Sequence, residues 1–371
     1  MEEKLLFRDF INPHVVTKLA ERISAVHPAF QKDEFCKNII PNLAALGLKQ
    51  RAELICNKLY EYLPKDYEHS IQIMLQSLPH ELSSDKVEDY GRFIIWAQTM
   101  YVYQYGLHDF DLSMKAMYEM TKRFTSEFAI RHFIDKYPDK SLQLLHIWAK
   151  DPNVHVRRLV SEGTRPRLPW GLKLNRFVND PLPIIPLLEK LYYDPELYVR
   201  RSVANNLNDI SKDHPDLVIK LLKKWRSERP SKNLEYIVQH ATRTLIKKGN
   251  ADALILMGNA ETIQILPPLL KTDNQVANGG YLNFEFVLKS QSSHTQTLTI
   301  DYAIHYLKAN GSNSAKVFKL KKIELLPHQS LSIHKKHSFK PVTTRVYYPG
   351  KHYISLIING KDFEKHDFML T

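Results

Sequence analysis

The chain has 371 residues, of which 43% are hydrophobic, and it carries a formal net charge of +12 at pH 7. This length is more than one hydrophobic core usually serves, so we expect two domains, and the positive charge favours a polyanionic partner such as nucleic acid. The two cysteines, Cys36 and Cys56, exclude a disulfide framework and a cysteine zinc cluster, and they fit a reducing cytosol.

The apolar residues give no sign of export or membrane insertion. The first ten residues, MEEKLLFRDF, are acidic and lack the charged and then apolar layout of a signal peptide. No run of 18 apolar residues occurs. We therefore expect a cytoplasmic protein with no membrane partner.

Apolar residues recur at helical spacing from the N-terminus to about residue 258, beginning with Phe10, Val15, Leu19 and Ile23. Within this region, residues 125–138 read TSEFAIRHFIDKYP. Thr125 or Ser126 is expected to cap a helix here, with Glu127 in its first turn, where the helix dipole favours a negative charge.

The stretch from Asp151 to Arg176 begins as a helix that Pro166 and Pro169 should end, and a turn carrying Trp170 should follow. A carboxylate, Glu162, stands among six basic residues: Arg157, Arg158, Arg165, Arg167, Lys173 and Arg176. The pattern suits a site that meets a polyanion. It equally suits a solvated face in which Glu162 is a salt-bridge partner and Trp170 plugs the core.

The chain repeats itself at an interval of 43 residues. DPNVHVRRLVSEG at 151–163 aligns with DPELYVRRSVANN at 194–206, and a weaker third copy is YIVQHATRTLIKKG at 236–249. A period near 40 is typical of HEAT-like helical repeats, which stack into a solenoid with a binding surface. The Asp-Pro pair before each second helix is expected to supply the cap and the first turn.

The second and third copies add further candidate residues. Asp209 falls on the polar face of the second copy, and four exposed basic residues are expected to join the binding surface: Arg201, Lys212, Arg243 and Lys247.

From about residue 260, apolar residues recur at every second position instead of at helical spacing. Six segments alternate apolar and polar residues between turns: YLNFEFVLKS, HTQTLTIDYAIHYLK, AKVFKLKKIELL, QSLSIHKKHSF, TTRVYYPG and KHYISLIING. Six or seven short strands predict an antiparallel sandwich of the immunoglobulin type. The fold prediction is therefore a multidomain chain, with an all-α HEAT-like solenoid over residues 1–258 and an all-β sandwich over residues 260–371.

Several of these motifs resemble one known family. SEGTRPRLPWG, TSEFAIR, AFQKDEF and GLKQRAELI are similar to segments of the AlkC branch of the bacterial AlkC/AlkD DNA alkylation repair glycosylases, and the strand-rich end is similar to the extra domain of one AlkC subgroup. The resemblance covers nearly the whole chain. One position departs from the pattern, because His132 stands where the family often has a proline.

The resemblance implies roles for individual residues. The family's acids fall on Glu127, Glu162 and Asp209, and its aromatic residue falls on Trp170. Arg158 and Arg165 are the positioning basic residues. Together with Arg167 they complete the predicted DNA-binding set, and charge reversal at Arg158 and Arg165 is expected to weaken binding without unfolding.

The implied activity is excision of cationic N-methylated bases, such as 3-methyladenine and possibly 3-methylcytosine, from double-stranded DNA. A carboxylate can stabilise the oxocarbenium-like sugar that forms as the N-glycosidic bond breaks. A cationic base leaves as a neutral molecule, so no strong general acid is required. The two cysteines and the spacing of the C-terminal histidines show no metal-binding pattern, and we expect no metal and no cofactor. The resemblance also implies an open surface without a deep base-flipping pocket. We expect a monomer that associates with the bacterial nucleoid when bound to DNA.

A second interpretation stays open from the repeats alone. Many helical solenoids are non-catalytic scaffolds or nucleic-acid-binding adaptors, and an appended sandwich fits that class equally well. Release of free 3-methyladenine from methylated DNA distinguishes the two.

Overall fold

The computed structural model describes residues 6–83, 90–343 and 345–371. In this part of the chain, helices run to Leu256 and strands begin at Leu269, so the predicted order of a helical region followed by a β region is confirmed. None of the helices described combines the length and the apolar character that crossing a bilayer requires.

Sixteen α-helices lie in the described residues. In chain order they are α1 (Pro13–Val26), α2 (Lys32–Ile39), α3 (Leu48–Tyr62), α4 (Tyr67–Gln76), α5 (Ile95–Tyr105), α6 (Phe110–Thr121), α7 (Ile130–Lys136), α8 (Pro138–Trp148), α9 (Val154–Gly163), α10 (Asn175–Asn179), α11 (Ile185–Leu191), α12 (Leu197–Ile210), α13 (Pro215–Glu228), α14 (Lys232–Ala241), α15 (Arg243–Lys247) and α16 (Ala251–Leu256). Short 3₁₀ helices cover Phe7–Phe10, Ile40–Ala45, Tyr90–Ile94 and Leu182–Ile184.

The 43-residue repeat is visible in matching hydrogen bonds. Arg157 Nη1 donates to the carbonyls of Asp151 and Pro152 at 2.9 and 3.0 Å. Arg200 Nη1 donates to the carbonyls of Asp194 and Pro195 at 2.6 and 2.7 Å. The equivalent arginine of each copy thus secures the loop that precedes its own helix.

The Asp-Pro pairs act differently from the prediction. Helices α9 and α12 begin two residues after the proline, and their N-caps are Asn153 and Glu196. Asp151 and Asp194 instead accept from the amides of Asn153 and Glu196 at 2.8 and 2.9 Å. An aspartate that bonds a backbone amide two residues later makes a turn, so the pair starts the loop rather than the helix.

The helices divide into two compact units. One contains the residues up to Asp213 together with Ser231–His240, and the other contains His214–Pro230 together with Ala241–Thr371. The weaker third copy of the repeat consists of α14 and α15, which are interrupted at Thr242. The predicted division at 258–260 lies between the last helix and the first strand, and as a boundary between independently folding domains it stays a prediction.

In the described part of the β region, eight strands form two sheets that share one core. They are β1 (Leu269–Thr272), β2 (Gln275–Val276), β3 (Tyr281–Lys289), β4 (Gln296–Leu307), β5 (Asn313–Leu325), β6 (Ser330–Ser338), β7 (Gly350–Ile358) and β8 (Lys361–Leu370). One sheet has the order β1-β3-β6 and the other β2-β8-β7-β4-β5. All of these pairs are antiparallel except the two-residue β2–β8 pair. Apolar side chains of both sheets, such as Phe286, Ile304 and Phe368, pack together as a sandwich.

One predicted strand is wrong. In the segment TTRVYYPG (343–350), Arg345 forms an isolated bridge with Val342 and Gly350 begins β7, while Thr344 lies outside the described residues. Arg345 packs over the ring of Tyr306 at 3.9 Å, and Val346 is exposed. The segment therefore alternates its side chains as a strand does, but its backbone has no continuous partner strand.

Candidate functional site

A proline-rich loop follows α9 and carries an exposed tryptophan. Trp170 has 71% of its surface exposed and a φ of 63°, a left-handed backbone that residues with side chains rarely adopt. The alternative in which Trp170 plugs the core is therefore wrong. Because such a conformation persists only where its surroundings enforce it, the loop is a candidate functional element.

A buried network of charges lies beneath this loop. Arg165 Nη1 donates to Glu162 Oε1 at 2.7 Å, and Arg165 Nε donates to Asp209 Oδ2 at 2.8 Å. Ser202 Oγ donates to the second oxygen of Glu162 at 2.7 Å, and Lys212 Nζ donates to the second oxygen of Asp209 at 2.8 Å. Two repeat copies, α9 and α12, thus meet through one arginine that is held between two carboxylates.

Arg158 extends the network to the third predicted acid. Its Nη1 donates to Glu127 Oε2 and, at 3.2 Å, to Thr125 Oγ1, while its Nη2 lies 3.6 Å from Glu162 Oε1. The guanidinium stands 5.1 Å over the ring of Tyr198. The structure therefore brings Glu127, Glu162 and Asp209 into one cluster with Arg158 and Arg165.

Glu127 lies in a turn and not in a helix, which corrects the sequence prediction. Helix α7 begins at Ile130, three residues later. Thr125 Oγ1 accepts from the Glu127 amide at 3.3 Å, whereas Ser126 Oγ donates to the Met117 carbonyl at 3.0 Å and caps nothing. His132, where the sequence departs from the family pattern, lies inside α7 and stacks on Tyr103 at 4.0 Å.

The cluster fixes the ionisation of Glu162. Burial alone would raise the pKa of its carboxyl group, but Arg158, Arg165 and the hydroxyl of Ser202 outweigh burial and hold that pKa below its usual range. In the same way the carboxylates outweigh burial at Arg158 and Arg165 and raise the pKa of each guanidinium. Glu162 is therefore an anion at neutral pH and has no proton to donate.

This shift predicts a dependence of stability on pH. A carboxyl group whose pKa is lower in the folded chain stabilises the fold above its unfolded pKa, about 4.3 for glutamate, and loses that contribution as pH falls through the folded pKa. We expect the melting temperature of the wild type to exceed that of Glu162→Gln by a constant amount above the unfolded pKa of glutamate, and the difference to shrink as pH falls through the lowered pKa of the folded chain. Parallel melting curves of the two proteins measure it, and a difference that grows as pH falls would contradict the assignment.

The cluster borders a cleft of about 370 Å³. Its walls are largely aromatic and include Trp96, Phe128, Tyr198 and Trp170, and Glu127, Glu162, Arg158 and Arg165 also line it. Trp96 stacks on Phe128 at 5.0 Å and is 3% exposed, as expected for a core residue, although it also contributes to the wall. A flat or charged ligand could contact aromatic faces and carboxylates there together.

The predicted DNA-binding residues fall into two groups. Arg158 and Arg165 form ion pairs with carboxylates, and 15% and 9% of their side chains are exposed, so we now expect charge reversal at either position to destabilise the fold, against the prediction from the sequence. A negative charge there would join two buried carboxylates. The second group is more exposed. Arg167 pairs with Asp213 at 2.8 Å and has 33% of its side chain exposed, whereas Arg201 and Lys212, on and just after α12, and Arg243 and Lys247, on α15 in the other compact unit, are exposed.

Sequence reasoning missed one residue that shapes the site. Arg131 is fully buried, and it donates to the carbonyls of Gly163, Arg165 and Leu172. It is the arginine of the TSEFAIR motif, and its position between Ile130 and the apolar pair Phe133 and Ile134 was the available signal. Ser202 was also missed, because a lone serine carries no pattern.

Comparison with known proteins places these features in one family. A family model described as DNA alkylation repair enzyme matches residues 105–248, and a model described as the C-terminal Ig-like domain of the uncharacterised protein YhaZ matches residues 268–371. YhaZ of Bacillus subtilis (strain 168) is 39% identical over 368 residues, which cover 98% of this chain and 99% of YhaZ.

A solved structure agrees with the sequence matches. It is the Pseudomonas fluorescens alkylpurine DNA glycosylase AlkC bound to DNA containing an abasic site analog, with 36% identity and a TM-score of 0.79 over 99% of this chain and 100% of that one. The chain therefore belongs to the AlkC branch of the DNA alkylation repair enzyme family, in the form that carries a C-terminal Ig-like domain.

Proposed function

We propose that this protein is a DNA glycosylase that hydrolyses the N-glycosidic bond of alkylated bases in duplex DNA. The observation that carries the proposal is the cluster of Glu127, Glu162 and Asp209, tied together by two arginines at the wall of an aromatic cleft. The similarity to AlkC over 99% of the chain supports it, because that protein is an alkylpurine DNA glycosylase bound to DNA.

The charge of the cluster suits this chemistry. Breaking an N-glycosidic bond develops positive charge on the sugar, and a preorganised carboxylate lowers the energy of that charge. Because Glu162 is ionised at neutral pH, it cannot serve as a general acid. A cationic N-methylated base such as 3-methyladenine or 3-methylcytosine leaves as a neutral molecule without being protonated, so it needs no proton from Glu162.

The three acids differ in exposure, and only Glu127 and Glu162 line the cleft. The side chain of Glu127 is 12% exposed, that of Glu162 is 6% exposed and that of Asp209 is 1% exposed. Both side-chain bonds of Glu127 use Oε2, and within the described part of the chain its Oε1 accepts no hydrogen bond. We assign Glu127 to orienting the attacking water, Glu162 to electrostatic stabilisation of the sugar, and Asp209 to holding Arg165.

We further propose that the DNA lies along the cleft with Trp170 against the sugar at the damaged nucleotide and that no deep pocket encloses the base. The exposure of Trp170 at the wall of the cleft supports this arrangement. Its left-handed backbone supports it also, since strain of this kind clusters at ligand clamps.

Duplex binding should depend steeply on salt, because lysine and arginine release counterions when they neutralise phosphates. Arg201 and Lys212 are exposed candidates for these contacts. We expect Arg201→Gln to weaken duplex binding of any sequence and to reduce the slope of log affinity against log salt by about one. Fluorescence titration at several salt concentrations measures the slope. Lys37→Gln removes an exposed charge of α2 as the control, and equal slopes for the two variants would count against this surface.

The activity itself is tested by incubating the protein with methylated duplex DNA and separating the released bases. The proposal predicts free 3-methyladenine and abasic sites that accumulate with time and protein. A protein that binds the duplex but releases no base would be the non-catalytic adaptor, in which the ion pairs of the cluster are structural only.

A further inference from the structure

Arg131 forms hydrogen bonds with both ends of the loop that carries Trp170. Its Nη1 donates to the carbonyls of Gly163 and Arg165 at 2.9 and 2.7 Å, where the loop leaves α9. Its Nε donates to the carbonyl of Leu172 at 2.6 Å, two residues after Trp170. One side chain of α7 therefore joins the beginning and the end of the loop.

This arginine has an unusual environment for a buried charge. Burial, with the nearby charge of Arg165, lowers the pKa of Arg131 to about 10, so the guanidinium stays protonated at neutral pH. The groups that accept its hydrogen bonds are backbone carbonyls. Because a buried cation is costly unless hydrogen bonds satisfy it, the loop must keep these three carbonyls directed at Arg131.

The loop is packed closely against the same side chain. A methyl group in place of the Gly171 hydrogen would lie 3.3 Å from Arg131 Cδ and Nε and 3.1 Å from Leu168 Cδ2. Within the loop, the amide of Gly171 donates to the carbonyl of Leu168 at 3.2 Å, which spans Trp170. Packing of Gly171 against Arg131 thus helps to hold the backbone of Trp170 in its left-handed conformation.

We propose that Arg131 is a positioning residue for base excision: it holds the loop so that Trp170 projects into the DNA-binding cleft in one orientation. The inference rests on the proposed function, because it assigns Trp170 a contact with the damaged strand. Arg131 itself is buried and touches no substrate. Its effect on the reaction passes through the loop.

Lysine tests the inference, since Arg131→Lys keeps the charge but cannot bond carbonyls at both ends of the loop. We expect the single-turnover excision rate to fall by about 10- to 100-fold, because small misplacements of positioning groups have effects of this size. In the Trp170→Ala background the same change should lower the excision rate by less than about threefold, since the effects of coupled residues are not additive. The proposal would be overturned if Arg131→Lys lowered the rate by the same factor in the Trp170→Ala background as in the wild type. It would also be overturned if Trp170→Ala excised bases at the wild-type rate.

Arg51 is the matched control. It is also a buried arginine that donates to backbone carbonyls, those of Arg8, Ile11, Leu43 and Leu46, and none of these carbonyls belongs to the loop that carries Trp170. Arg51→Lys should lower the melting temperature and leave the excision rate unchanged. If Arg131→Lys does not fold, Gly171→Ala disturbs the same contact from the other side, and it should show a smaller loss of rate with the same coupling to Trp170.

Fluorescence provides a readout that does not need activity. Trp170 is exposed, whereas the other three tryptophans, Trp96, Trp148 and Trp225, are 6% exposed or less. The difference between each protein and its Trp170→Phe version isolates the Trp170 signal. We expect its anisotropy to fall in Arg131→Lys and to stay at the wild-type value in Arg51→Lys. Unchanged anisotropy in Arg131→Lys would overturn the inference, and a wild type that releases no base would overturn the proposed function alone.

Discussion

Replacing Glu162 by glutamine should lower the single-turnover rate of base excision by about 10²–10³-fold and leave duplex affinity close to that of the wild type. Glutamine keeps the size of the side chain and removes its charge. Arg158 retains Glu127 and Arg165 retains Asp209 as partners, so neither arginine is left without a carboxylate. The loss of rate therefore measures the electrostatic contribution of Glu162 to the transition state.

Asp213→Asn is the control for this experiment. It also removes one negative charge from an arginine pair close to the loop, but the pair with Arg167 is about one third exposed and does not line the cleft. We expect this variant to excise bases at the wild-type rate. If Glu162→Gln and Asp213→Asn slow excision equally, the loss of rate comes from the change in net charge and not from the cluster.

Replacing Arg165 by methionine should lower the free energy of unfolding of the compact unit that contains it by about 3 kcal/mol, because removing one member of a buried ion pair leaves uncompensated charge. Glu162 would keep Ser202 and the more distant Arg158, and Asp209 would keep Lys212, so the loss should lie at the lower end of the range for such changes. Urea denaturation followed by helical circular dichroism measures the effect.

Arg167→Met provides the matched comparison, since Arg167 makes the same type of pair with Asp213 at an exposed position. Exposed pairs contribute about 0–1 kcal/mol, so this variant should unfold almost as the wild type does. If Arg165→Met and Arg167→Met lost the same free energy of unfolding, burial would not determine how much the Arg165 ion pairs contribute to stability.

Periodicity in the sequence predicted the parts of the fold that repeat. The 43-residue offset between Val156-Arg157-Arg158 and Val199-Arg200-Arg201 corresponds to matching bonds of Arg157 and Arg200 in the structure. The change to alternating residues likewise predicted β3 to β7. Helical and strand periods reflect local geometry, which the sequence carries directly.

Partners brought together by tertiary packing were harder to predict. Arg165 and Asp209 are 44 residues apart, and their ion pair depends on the register between α9 and α12. Arg165 therefore appeared to be one more exposed basic residue, whereas the structure buries it. Strand β8 was missed because its burial pattern is regular only near Phe368 and Leu370, while charged residues occupy most of its remaining positions.

The resemblance to a known family carried most of the functional prediction. Composition and repeats alone favoured a basic helical scaffold, and nothing in them distinguished Glu162 from any other salt-bridge partner. The geometry adds that the three acids share two arginines and that two of them, Glu127 and Glu162, border one cleft. The roles of the individual acids remain predictions.

The most direct test of the account compares single-turnover release of 3-methyladenine from methylated duplex by the wild type and by Glu127→Gln, Glu162→Gln and Asp209→Asn, with duplex affinity measured on the same samples. The account predicts rapid release by the wild type, a loss of most activity in Glu162→Gln, a substantial loss in the other two, and similar affinities throughout. Release at the wild-type rate by all three variants would contradict it, because the carboxylates would then be structural.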